Sequence, residues 1–409
     1  MDNTKQPYIP IVLSGCILVM LSFGYRAGFG LFLEPMSLDL AWGRDILGLA
    51  FAIQNLAWGV FAIIAGAFAD KFGNLRVLIA GVICYGAGMW GMAFSSNEAT
   101  IYSTAGLLVG AGIAGTSFGI VLPALVRAVP KEKQGWALGI GTAAGSFGQF
   151  LLVPIIQLII DLLGWFQTLQ LLGLSTIIML FFVLPIAKHG RVPTKKIEIN
   201  PPLPLLTVAR NAFKVPSYAL LVFGFYVCGF HLAFIGVHMP AYLLDQGFSA
   251  YIGAASISII GLCNIFGAYY AGITSDTYPK HRILVLIYIA RAIAIACFLI
   301  VPTSVFSIMI FSAVMGFLWL ATVPPTSGLV ATFFGTRYMT FLYGIVFFSH
   351  QLGSFTGVWL GGWLYENFGT YDGVWVAGII LGLTAAVLHF YISEDDFSHK
   401  MQATEAIVG

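Results

Sequence analysis

The stretch Gly66-Ala-Phe-Ala-Asp70-Lys-Phe-Gly73-Asn-Leu-Arg76 and its later echo, Gly272-Ile-Thr-Ser-Asp276-Thr-Tyr-Pro-Lys-His-Arg282, decide how this chain folds. Each closes a long apolar run with Gly, places Asp four residues later and Arg six after that. One stretch ends the second apolar run of the chain and the other ends the eighth. A motif repeated at the same place in each half implies two copies of one six-helix unit.

The composition fits this. Of 409 residues, 59% are hydrophobic and 9% charged, and the mean hydropathy is +0.92; soluble domains carry roughly 25% charged residues. Apolar runs fall at 8–33, 45–69, 77–95, 100–126, 134–160, 164–186, 217–244, 250–273, 283–302, 304–333, 338–364 and 371–392. Each approaches the roughly 20 residues that a bilayer-crossing helix needs. The chain is therefore expected to be an all-α membrane protein of about twelve crossings. The expected units are a first bundle (1–186), a polar central loop (187–216) and a second bundle (217–409). Of the 19 Lys and Arg, all but Arg26, Arg44 and Arg291 fall on the side of the N-terminus and central loop. That asymmetry places both termini in the cytoplasm. The polar start MDNTKQPYIP leads into an apolar run without a small-residue cleavage signal, so the first span is read as retained.

Composition also excludes functions. A net charge of +2 gives no reason to expect nucleic acid as a partner. The five cysteines sit inside apolar runs at spacings that suit neither a disulfide framework nor a metal. GAGIAG lies within an apolar run and not after a strand, so it is no nucleotide loop. Neither a catalytic pair, a metal cluster nor a cofactor motif is visible, and no enzyme is expected.

With its repeated GxxxD loops, twelve runs and long central loop, the sequence resembles the major facilitator superfamily over nearly its whole length. The resemblance implies two pseudo-symmetric bundles that rock about a central site, working as a monomer. It also implies gating roles for Asp70 and Arg76, with Asp276 and Arg282 as the second copy. The segments FGLFLEP (29–35), TVPPTSGLVA (322–331) and YGIVFFSHQLGSFTGVWLGGWLYENFG (343–369) resemble the bacterial monocarboxylate transporter and oxalate/formate antiporter branch. The Asp and Arg that animal monocarboxylate transporters carry four apart in span 8 are missing; Asn264 and Ala268 stand there.

Arg26 then raises its own question. It lies about 15 residues into span 1, so roughly 22 Å into a core of about 30 Å. A bare cation there costs at least about 2.5–3.5 kcal/mol. None of the 17 Asp and Glu lies deep in a span, so the natural partner is an anionic substrate, gripped as a guanidinium grips a carboxylate. Aligning Pro35 with Pro240 lays FGYRAGFGLFLEP over CGFHLAFIGVHMP and Arg26 over His231. His350 and Gln351 fall mid-span 11. Arg26, His231, His350, Tyr25, Gln351 and Asn264 are thus the expected substrate contacts, with His231 and His350 as proton carriers. Arg291, in peripheral span 9, is expected to pair with an inward-facing loop or to snorkel.

The sequence therefore reads as a multi-pass transporter of the cell (inner) membrane. It carries a small organic anion, a monocarboxylate by expectation, by alternating access with protons as coupling ion. Anion exchange, export of drug-like compounds and ligand sensing are the competing functions.

Overall fold

A computed structural model describes residues 8–130, 133–187, 204–335 and 338–397, apart from the side chains at 70 and 71. All described secondary structure is helical. Ten helical stretches are long and apolar enough to cross a membrane. One of them, Gln134–Ile186, turns at Gly164 (φ 82°) and makes two crossings. Met339–Phe368, 30 residues of helix, completes twelve.

The crossings are numbered in chain order. In the first half, span 1 runs through Tyr8–Ala27 and continues as a 3-10 turn (Phe29–Phe32) and a short helix (Leu33–Leu40). Span 2 is Arg44–Phe72 and span 3 Asn74–Ala93. Span 4 ends as two helices, Val109–Thr116 and Phe118–Ala128, broken at the extended Ser117. Spans 5 and 6 are the two arms of Gln134–Ala187. In the second half, span 7 is Pro216–Asp245, span 8 Ala250–Thr277 and span 9 Lys280–Ile300. Span 10 is broken between Val305–Leu318 and Val323–Phe334; span 11 is Met339–Phe368 and span 12 Asp372–Phe390. Within the segment expected to be a loop, Leu205–Phe213 forms a helix that buries Val208 and Ala212; its apolar residues recur at helical spacing against spans 7 and 11.

The halves repeat each other contact by contact. Ser22 Oγ lies 2.8 Å from Thr116 Oγ1, beside the break of span 4. Cys228 Sγ lies 3.2 Å from Thr322 Oγ1, in the break of span 10. Cys228 follows Ser22, and Thr322 follows Thr116, by 206 positions. The same shift relates Tyr85 to Arg291 and Tyr25 to His231. The register read from the two prolines was 205, so it needs a correction of one residue: His231 answers to Tyr25, and Leu232 answers to Arg26. The 3-10 turn of span 1, absent from the continuous helix of span 7, takes up the difference.

Small residues bring the spans within each half into contact, as membrane helices require. A Cβ on Gly148 of span 5 would lie 2.0 Å from the Met20 carbonyl oxygen of span 1; in the second half, one on Gly353 of span 11 would lie as close to the Tyr226 carbonyl of span 7. Gly148→Val is therefore expected to lower the thermal midpoint in detergent by several degrees. Gly139→Val on the same span, facing open space, should leave it unchanged.

The two halves meet at one end and part at the other. Along one face of span 2, Gly48 abuts the span 11 backbone at Val358 and Gly362, and Gly59 abuts Gln351; Gly66, on the same stripe, meets nothing within 4 Å among the described residues. On span 8, Gly261 abuts Ser146 and Phe150 of span 5, whereas Gly272, three turns on, meets nothing within 4 Å among the described residues. Both interfaces splay toward the basic end, the end that carries the central segment.

Candidate functional site

Arg26 occupies the last turn of the first helix of span 1, where the break at Gly28 begins. Its Nη2 donates to Asn55 Oδ1 at 3.0 Å, while Asn55 Nδ2 donates to the Phe51 carbonyl at 2.8 Å. The guanidinium stands 4.9 Å from the centre of the Trp58 ring, and its Nε has no partner. Asn55 and Trp58 are one turn apart on span 2, so both present the same face to span 1. Among the described residues, Arg26 forms no ion pair with a carboxylate; the ion pairs present involve Arg44 and His281.

Trp58 links this cation to the second half. Its ring meets Phe23 of span 1 edge-on at 5.9 Å and Phe347 of span 11 at 5.4 Å. Phe23 stacks on Phe118 of span 4 at 4.2 Å, and Phe347 stacks on the His350 imidazole at 5.8 Å. His350 Nδ1 is 3.1 Å from Gln351 Oε1. Gln351 is fully buried, and its Nε2 has no partner. The structure thus gathers Arg26, His350 and Gln351 around one cluster of rings at the junction of spans 1, 2, 4 and 11.

The other expected contacts lie elsewhere. Tyr25 points into the first half: its hydroxyl is 2.8 Å from Ser175 Oγ of span 6, and its ring meets Tyr85 of span 3. His231 does the equivalent in the second half. Its Nε2 is 2.7 Å from the Gly378 carbonyl of span 12. Asn264 ties the halves together: its Nδ2 donates to Ser146 Oγ of span 5 at 2.8 Å, and its Oδ1 accepts from the Leu320 N–H in the break of span 10. Asp276 and Arg282 are exposed at the basic end, and neither pairs with a described residue of opposite charge. Arg76 is also exposed, 5.8 Å from the Phe72 ring. The Asp70 side chain lies outside the described residues.

Arg291 neither snorkels nor meets a loop. It is fully buried, and its Nη2 donates to the Leu318 and Trp319 carbonyls at 2.6 and 2.5 Å. Those carbonyls end the first helix of span 10, where backbone acceptors lose their intrahelical partners and the helix dipole is negative. Arg291→Leu is expected to leave two buried carbonyls unpaired at about 1–3 kcal/mol each, seen as a marked drop in thermal midpoint. Arg291→Lys, which can still reach one carbonyl, should lose less.

A second charged cluster closes the end away from the central segment, and the sequence did not reveal it. Arg44, 5% exposed, opens span 2. It donates from Nη1 and Nη2 to Asp245 Oδ2 and Oδ1 at 2.6 and 2.8 Å, to Tyr371 Oη at 3.1 Å, and to Glu34. Its guanidinium lies 3.9 Å from the centre of the Tyr365 ring. Asp245, Tyr371 and Tyr365 belong to the second half. Beside this latch, the backbone of span 1 meets span 7: a Cβ on Gly30 would lie 2.6 Å from the Gly236 carbonyl.

Two helical halves, closed at one end and splayed at the other about a partly buried arginine, are the build of a multi-pass membrane carrier. A profile of the Major Facilitator Superfamily matches residues 15–357 and 265–406, and the chain belongs to that superfamily. It is 24% identical over 379 residues to the uncharacterized MFS-type transporter YcxA of Bacillus subtilis (strain 168), covering 89% of this chain and 90% of the relative. It is 24% identical over 400 residues to monocarboxylate transporter 13 of Rattus norvegicus (93% and 89%), and 26% identical over 296 residues to monocarboxylate transporter 11 of Mus musculus (69% and 63%). Among solved structures, a bacterial homologue of the human lysosomal transporter Spinster, inward-facing and unoccupied, superposes with a TM-score of 0.72 at 13% identity, covering 97% of this chain and 98% of the other. A D-xylose–proton symporter superposes at 0.71 with 17% identity (97% and 99%).

Proposed function

We propose that this chain carries a small organic anion, a monocarboxylate, across the cell's inner membrane by alternating access, with protons as coupling ion. The observation that carries this reading is Arg26: a cation at mid-membrane depth whose guanidinium, among the described residues, is hydrogen-bonded to a neutral amide and to no carboxylate. A charge in that setting needs a counter-charge, and a substrate carboxylate supplies one. Likeness to proteins named monocarboxylate transporters supports the same substrate class.

The splay at the basic end corresponds in this reading to a cytoplasm-facing state. Asp70, Arg76, Asp276 and Arg282 would then close that end when the Arg44 latch opens the other. His350, whose ring stacks on Phe347 beside Trp58, is in this reading the proton-coupling residue nearest Arg26. Both termini face the cytoplasm, and the carrier works as a monomer.

The test is uptake of labelled monocarboxylates into liposomes holding the purified protein, with an imposed pH gradient. Proton coupling predicts accumulation that a protonophore collapses. Accumulation that needs a trapped internal anion and ignores the protonophore would make the carrier an exchanger. If no organic anion is bound or moved, while apolar or cationic compounds are, the anion reading fails.

A further inference from the structure

We infer that the anion is an arene carboxylate, held with its carboxylate on Arg26 and its ring among Trp58, Phe23 and Phe347. The inference rests on the anion-carrier reading above and narrows its substrate class. Two observations carry it.

The first is a set of donors without acceptors. Arg26 Nε, Trp58 Nε1 and Gln351 Nε2 are buried N–H groups with no hydrogen-bond partner among the described residues. They sit on neighbouring residues: Arg26 lies over the Trp58 ring, and Gln351 lies beside Gly59, the residue after Trp58. An unpaired buried donor is costly, and more so where no bulk water reaches it. All three groups donate and none accepts. The complementary guest carries acceptor oxygens only, as an ionised carboxylate does.

The second is the wall beside those donors. Phe23, Phe118 and Phe347 are each only partly buried and keep ring surface available. Their contacts with Trp58 and with each other are edge-on at 5.4 and 5.9 Å and stacked at 4.2 Å. These are the arrangements in which a further ring joins favourably, by edge or by offset face. Acetate or lactate would satisfy the donors and leave the rings uncovered. A second carboxylate, as in oxalate, would lie against apolar ring surface, with Arg26 already engaged. An arene on the carboxylate uses both parts of the site.

The test measures wild-type affinity for benzoate, phenylacetate, acetate, lactate and oxalate by thermal shift in detergent, checked by competition against whichever ligand binds best. The arenes are expected to bind at least tenfold tighter than the others. Trp58→Leu and Phe347→Leu should narrow that gap by weakening the arenes alone. Gln351→Leu should weaken every carboxylate by a similar factor. If acetate or lactate binds as tightly as benzoate, the arene inference is overturned and the anion carrier stands. If no carboxylate binds, the anion carrier itself is overturned. The wild-type comparison needs no variant, so a misfolded mutant cannot obscure the outcome.

Discussion

Arg26→Gln is expected to abolish carboxylate binding and uptake while leaving the unliganded protein at least as stable as before. A hydrogen bond to a charged group contributes about 1.5–3 kcal/mol, so losing a two-pronged grip on a carboxylate removes about 3 kcal/mol or more. That is over 100-fold in affinity. Stability should move the other way. Glutamine can still donate to Asn55 Oδ1, and the change removes a charge that, among the described residues, is hydrogen-bonded to that neutral amide alone. A structural arginine behaves differently: its loss lowers the thermal midpoint and spares binding. The two measurements on one variant therefore separate the roles, and Arg291, bonded to two carbonyls, serves as the structural control. Arg26→Lys should restore charge but only part of the affinity, because an ammonium cannot reproduce the planar fork.

What the sequence made legible follows from which forces are local. Crossings announce themselves through hydropathy, and the Asp70 and Asp276 loops announce the repeat, because both are properties of contiguous residues. Arg26 was legible because an unbalanced charge in an apolar run is rare. Its depth follows from counting, and its lack of a carboxylate partner follows from where the acids fall. The direction in which a helical side chain points is less local. A slip of one residue turns a helix by about 100°, and the 3-10 turn in span 1 hid such a slip. That is why His231 was matched to Arg26, although its bond to span 12 matches that of Tyr25 to span 6. Asn264 was expected to touch substrate, because a polar side chain in a span can face a cavity or a neighbouring helix. The structure spends both ends of its amide on Ser146 and Leu320. The breaks of spans 4 and 10 were invisible in runs that stay apolar throughout. Trp58, the ring that joins the cation to the second half, is one aromatic among 34 Phe, 17 Tyr and 9 Trp. Nothing at its position sets it apart until span 11 is laid against it.

Removing the Arg44 latch is expected to open the end of the molecule that it closes. The reasoning rests on which bonds an opening would break. Glu34 and Arg44 belong to the same half, so their ion pair can travel with it. The bonds from Arg44 to Asp245 and Tyr371, and its contact with the Tyr365 ring, cross to the other half and exist only while this end is shut. They stabilise one state and not the other, which is the condition for shifting a population. Asp245 is partly exposed, so the loss is nearer to the roughly 1.5–3 kcal/mol of a hydrogen bond to a charged group than to that of a fully buried pair; each 1.4 kcal/mol is tenfold, and Arg44→Gln should move the balance by roughly 10- to 100-fold. Spin labels at the exposed Leu38 and Tyr251, one from each half, would report it as a longer, broader distance distribution. Asp245→Asn should do the same to a smaller degree, since the amide still accepts one hydrogen bond. The double variant should add little to Arg44→Gln, because the two residues act through one bond. Glu34→Gln is the discriminating case. It strips a charge from the same cluster but breaks nothing that crosses between halves, so its distances should stay near those of the wild type. If Glu34→Gln opens this end as far as Arg44→Gln does, the cluster acts through its charge as a whole, and the Arg44–Asp245 pair is not the latch.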